Sequence, residues 1–130
     1  MSDRQTTESR FDLEERLLRY AAEVVKLVES LPPTRAGNHV GGQFLRSGTS
    51  PYFHHGEAQA AESPKDFVHK MSICLKELRE SIRSLRLIQA VPLVKPASRA
   101  DWLTSETEEL IKIFYTSIRT AKRNQSDRQS

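Results

Sequence analysis

Between Ser63 and Pro92 the apolar residues Phe67, Met71, Cys74, Leu75, Leu78, Ile82, Leu85 and Ile88 recur at three- and four-residue steps. That period belongs to an α-helix with one buried face. It excludes a strand, whose apolar residues would alternate. Ser63 followed by Pro64 predicts where the helix begins: a hydroxyl to cap free amides, then a proline where no N–H is needed. Pro92 and Pro96 predict its end. At about 1.5 Å per residue such a helix is roughly 40 Å long, a length typical of bundles rather than of compact mixed folds. Its apolar face needs helical partners of similar length.

The rest of the chain supplies three. Leu13, Leu17, Leu18, Ala21, Val24, Val25, Val28 and Leu31 predict a first helix, opened near Ser9 and Asp12 and stopped by Pro32-Pro33. A second is expected from about Thr34 to Glu62, with Val40, Phe44, Leu45 and Phe53 partly buried and a kink or break near Ser50-Pro51. Gly37, Gly41, Phe44 and Gly48 share one face of it. A face that small lets a neighbouring helix come close, and the packing gained offsets the poor helix propensity of glycine. Leu103, Leu110, Ile111, Phe114, Ile118 and Ala121 predict a fourth helix entered at Trp102, with Ser105–Glu108 or Ser98–Asp101 as rival starts. Short, proline-marked connections make this an all-α, antiparallel up-down-up-down four-helix bundle. The bundle is expected over residues 11–123, between flexible tails at 1–10 and 124–130.

Composition narrows the function. At 130 residues, with 37% hydrophobic and 28% charged, the chain is expected to be one soluble domain with no membrane span. Residues 1–10 carry no apolar run of the signal-peptide kind, and one cysteine forms no internal disulfide, so a cytoplasmic location is expected. The net charge of +3 is unevenly spread. From Pro64 to Ala90, six bases face three acids, and from Arg119 to Ser130 four bases face Asp127 alone. Between Phe11 and Leu31, five acids outnumber three bases.

No enzyme chemistry is expected. A di-metal bundle needs two carboxylate-x-x-His pairs and two further inward glutamates. Asp66-x-x-His69 is one approximation, His54, His55 and Glu57 lie on another helix, and His39 stands alone, so no metal or other cofactor is expected. Cys74 falls on the apolar stripe, where a thiol is inert. Ser47-Gly48-Thr49-Ser50-Pro51 is not a nucleophile elbow, and Gly41-Gly42 lacks the Lys-Ser/Thr of a phosphate loop. No small-molecule substrate is evident.

The strongest surface feature is a row of cations. Lys76, Arg79, Arg83 and Arg86 follow three-, four- and three-residue steps, on a face away from Cys74, Leu78, Ile82 and Leu85. Arg119, Lys122 and Arg123 form a second patch. Such rows meet phosphates. They also occur as plain solvated faces, here with Lys76–Glu80 and Glu80–Arg83 pairs, and no aromatics interleave with the bases along the third helix.

The stretch Gly41-Gly42-Gln43-Phe44-Leu45-Arg46-Ser47-Gly48-Thr49-Ser50-Pro51, followed by Glu57-Ala58 and Ser63-Pro64-Lys65-Asp66-Phe67, resembles the bacterial four helix bundle protein family. That family is also known as the 23S rRNA intervening-sequence protein family. The similarity extends through the third helix to Leu87 and includes Phe11 and Leu13. Gln43, Arg46, Ser50 and Glu57 match its polar pattern residue by residue, while His54 stands where an asparagine is common. The resemblance implies a short antiparallel bundle assembled as a homopentamer. It also implies, from a related basic accessory protein of retroelements, association with nucleic acid. A buried Arg46–Glu57 ion pair is one structural role open to the matching residues.

The function expected is therefore that of a non-enzymatic, oligomeric bundle binding RNA, DNA or a nucleoprotein by charge. The alternative is an assembly or protein-interaction module whose cations are merely solvated.

Overall fold

The structure, a computed structural model, describes residues 3–129, and side chains within 12–128. Four helices follow one another: α1 (Asp3–Glu29), α2 (Arg35–Gln59), α3 (Pro64–Ala90) and α4 (Asp101–Gln129), the last entered through a 3-10 turn at Ala97–Ala100. Each packs on the next, and α1 meets α4 to close the bundle. Helical backbone extends into the stretches expected as tails, since α1 starts at Asp3 and α4 runs to Gln129.

Capping follows the sequence closely in the middle of the chain. The Thr34 hydroxyl accepts from the Gly37 amide at 3.0 Å, and the Ser63 hydroxyl accepts from the Asp66 amide at 3.1 Å with Pro64 at the first helical position. Helix α4 starts at Asp101, so Ser105–Glu108 lies inside it and is not its start. Pro51 sits within α2 without breaking it. Next to it, Thr49 turns its hydroxyl back onto the Leu45 carbonyl at 2.7 Å.

The core of α3 is as its period predicts: Met71, Cys74, Leu75, Leu78, Ile82, Leu85 and Ile88 are all buried. In α1 the buried set is Leu17, Tyr20, Ala21, Val24 and Leu27, whereas Leu18 and Val25, expected on the inner face, are exposed. Buried residues there step by four and three, a narrower seam than a face that includes Leu18 and Val25. Phe53, expected to be partly buried, is 65% exposed and packs edge-on against Tyr52.

One polar layer crosses this core, with a buried hydroxyl from every helix: Tyr20, Ser47, Ser81 and Thr107. Thr107 donates to the Leu103 carbonyl at 2.6 Å, which leaves Tyr20 as the donor in the 2.6 Å Tyr20–Thr107 bond. Ser47 and Ser81 pair at 2.8 Å. Burial pushes the Tyr20 phenol up to about 12, against the opposing effect of Thr107 and Ser81 on it. Near the same α1–α4 seam, Arg16 forks onto both carboxylate oxygens of Glu106, and the Arg19 guanidinium lies 4.4 Å from the Trp102 ring centroid. Long side chains thus span the seam where these two helices come least close.

Helices α1 and α2, by contrast, nearly touch. A methyl group at Gly48 would lie 2.7 and 2.8 Å from the two Val24 methyls, and one at Gly41 would lie 3.1 Å from Leu31. Gly42 faces open space. Gly48→Ala is expected to destabilise the fold by about 1–3 kcal/mol through overpacking. Gly42→Ala should stabilise it by roughly 0.5–1 kcal/mol through helix propensity. Urea unfolding of the two variants checks both signs.

Candidate functional site

All seven predicted cations, Lys76, Arg79, Arg83, Arg86, Arg119, Lys122 and Arg123, are exposed. None of them forms an ion pair within the described residues. The Lys76–Glu80 and Glu80–Arg83 pairs of the plain solvated face are therefore absent there, and the row on α3 stays open. Its position follows from packing. Helix α3 is held by α2 on one side and α4 on the other, so residues pointing to neither reach solvent.

The bundle unites the two patches. A groove of about 650 Å³ between α3 and α4 is lined by Lys76, Arg79 and Arg83 from one helix and Arg119 and Lys122 from the other. Glu80 is the lone carboxylate among its lining residues. Leu75 and Ile118, both buried, belong to its lining, and Tyr115, 52% exposed, stands beside the cations. Arg86 and Arg123 lie outside this groove. Tyr115 is the residue missed in the sequence. It precedes Arg119 by four positions and Lys122 by seven, a shared helical face, but it follows Phe114 in an otherwise apolar run.

The residues carried by the family pattern do not form one cluster. Gln43 and Arg46 are exposed and line a second groove of about 480 Å³ between α2 and α3, together with Glu80 and Arg83. Ser50 is half-buried. The buried Arg46–Glu57 pair, one role open to the matching residues, is not formed. Eleven positions apart on one helix, the two lie roughly 16 Å apart along its axis. Glu57 instead pairs with Lys70 of α3 at 3.2 Å and with His54 at 3.3 Å. The hydrogen bonds from Lys70, then His54, hold its carboxyl below the usual range. Burial, and then the nearby Glu80, raise the pKa of Glu77 on α3, with the charge of Arg46 opposing them.

Elsewhere, Cys74 is fully buried and burial pushes its thiol up to about 12, with the Sγ 3.6 Å from the Pro51 carbonyl. No group of three His, Cys, Asp or Glu side chains converges on a metal-sized site among the described residues. No helix among the described residues is long and apolar enough to cross a membrane. A cavity of about 740 Å³ at the α2–α3 turn end of the bundle is lined by Leu13, His55, Phe67 and Ile113 but holds none of the predicted cations. His55, 1% exposed, meets the Phe114 ring edge-on and has a buried Nδ1 with no hydrogen-bond partner.

Among solved structures, the chain is similar to a member of one known family. The class is an antiparallel four-helix bundle with cationic grooves. Its structural match is to the S23 ribosomal protein family, that of the 23S rRNA intervening-sequence proteins which residues 41–87 resemble. The matching crystal structure is of a protein of unknown function from that family in Bacteroides thetaiotaomicron. The TM-score is 0.76 at 26% identity, over 85% of this chain and 97% of that one. No family model and no curated protein matches the chain.

Burial of His55 lowers its pKa from 6.5, despite the charge of Glu14, which raises it. Below pH 6.5 the unfolded chain therefore binds more protons at this site, and stability falls as pH falls. One such group contributes at most about 1.4 kcal/mol per pH unit. Glu77, with its pKa raised, acts in the opposite sense. Urea unfolding between pH 7.5 and 5.5 is expected to show a smaller acid-side loss in His55→Leu than in the parent chain.

Proposed function

We propose that this protein is a non-enzymatic bundle that binds RNA or DNA by charge through the groove between α3 and α4. The observation that carries this is the convergence of five exposed cations from two helices around one groove, with a single carboxylate among them. Cations held unpaired cost the fold little while they stay hydrated, and each phosphate they meet releases condensed counterions. Binding of this kind weakens steeply with salt and discriminates little among sequences. In Lys76→Gln/Arg79→Gln/Arg83→Gln/Arg86→Gln, affinity at low salt should drop sharply. The log–log salt slope should shrink by roughly 0.7–0.9 for each cation that had met a phosphate. Unchanged affinity in a filter-binding titration would remove the α3 row from the interface. Arg86→Gln alone is expected to matter less than Arg83→Gln, because Arg86 lies outside the groove.

Self-association is the second part of the proposal. Leu18, Ala22 and Val25 are exposed on the outer face of α1, with Glu14 and Glu29 one turn beyond them at either end. An apolar patch flanked by acids fits a neighbouring copy whose exposed surface is basic. A ring of copies, five as the family resemblance implies, multiplies a modest charge per chain into a larger field. Light scattering is expected to give an oligomer that Leu18→Glu/Val25→Glu dissociates. A monomer for the parent chain would overturn this part.

A further inference from the structure

Charge alone does not tell a duplex from a single strand, since both present phosphates. An accessible aromatic does. In a duplex every base face is covered by its neighbours, whereas an unstacked base offers a free π-face to an aromatic ring. Tyr115 is placed to accept one. Its ring is half exposed in the α3–α4 groove and has no ring contact, hydrogen bond or ion pair among the described residues. Lys76 and Arg79 lie across the groove on α3, and Arg119 and Lys122 follow Tyr115 on its own face of α4.

We propose that this groove selects single-stranded nucleic acid, with an unstacked base laid on Tyr115 and the flanking phosphates between the cations of α3 and α4. The proposal rests on the charge-driven binding argued above and adds to it a preference for strand state. An acidic amphipathic peptide fits the charge but not the apolar surface. Leu75 and Ile118 are only 8% and 7% exposed, so the apolar area on offer is chiefly one flat ring. A flat ring between cations suits a base and its backbone better than a row of aliphatic side chains.

The test measures binding of a labelled single-stranded oligonucleotide, as RNA and as DNA, and of the duplex of the same sequence. The proteins are the full chain, Tyr115→Ala, Tyr115→Phe and the quadruple glutamine variant, each checked for native helix content. The parent chain is expected to favour the single strand. Tyr115→Ala should lose about tenfold on it and less than about twofold on the duplex, while Tyr115→Phe keeps both affinities. Equal affinity of the parent for both forms, an unchanged Tyr115→Ala, or equal losses on both forms would overturn the proposal. If the quadruple variant still lost binding in those cases, charge-driven recognition would stand without strand selection. Binding to neither form by the parent chain would overturn both. Polyglutamate bound as tightly as the single strand would make the groove a plain anion site and overturn strand selection.

Discussion

Helix α3 is held between α2 and α4, and that clamp determines what the molecule presents to its surroundings. A helix with two packed flanks has one narrow strip left for water. In α3 the strip carries Lys76, Arg79, Arg83 and Arg86, while Met71, Cys74, Leu78, Leu85 and Ile88 fill the interior. Because α4 runs alongside, the α3 row meets Arg119 and Lys122 across a groove rather than standing alone. The surface charge is thus a product of packing: any shift of α4 around α3 would separate the two halves.

The other helix pairs hold that arrangement by different means. Between α1 and α2 it is close approach over glycine, with the Val24 side chain seated on Gly48 and that of Leu31, just past the end of α1, on Gly41. Between α1 and α4 it is reach, through Tyr20, Arg16 and Arg19. The Arg16–Glu106 fork raises the guanidinium pKa, chiefly through its hydrogen bond to Glu106. A partly exposed pair of this kind contributes little stability by itself, so its main effect is on orientation. The close α1–α2 contact comes from shape, which is why two glycines there differ from Gly42 and Gly56, which face open space.

Most of the architecture was legible because periodicity and caps are local signals. The α3 stripe, the Ser63–Pro64 start and the small face of α2 needed only neighbouring residues to be read. Leu18 and Val25 misled because, in an apolar run, a sequence does not show how wide the buried seam is. Ser105–Glu108 misled because the chain enters α4 through the 3-10 turn Ala97–Ala100, which puts the helix start at the rival Ser98–Asp101 pair, with Asp101 as the first residue of α4. The candidate site was legible only in halves. Both cation patches were visible, but their union, and the place of Tyr115 between them, depend on two helices whose contacting residues lie about forty positions apart. Arg46 and Glu57 show the reverse error: residues linked by one motif parted company, Glu57 pairing with Lys70 of α3 while Arg46 stays exposed in the groove between α2 and α3.

The hydroxyl layer formed by Tyr20, Ser47, Ser81 and Thr107 has an effect beyond the bonds it makes. Leucine and valine side chains tolerate sliding, since one methyl replaces another at small cost. Here a one-turn slip of any single helix would strand an oxygen among hydrocarbons, with a penalty on the order of 1–3 kcal/mol for each group left dry. The layer therefore works as a ruler notch: four rods that would otherwise glide past each other lock at one depth.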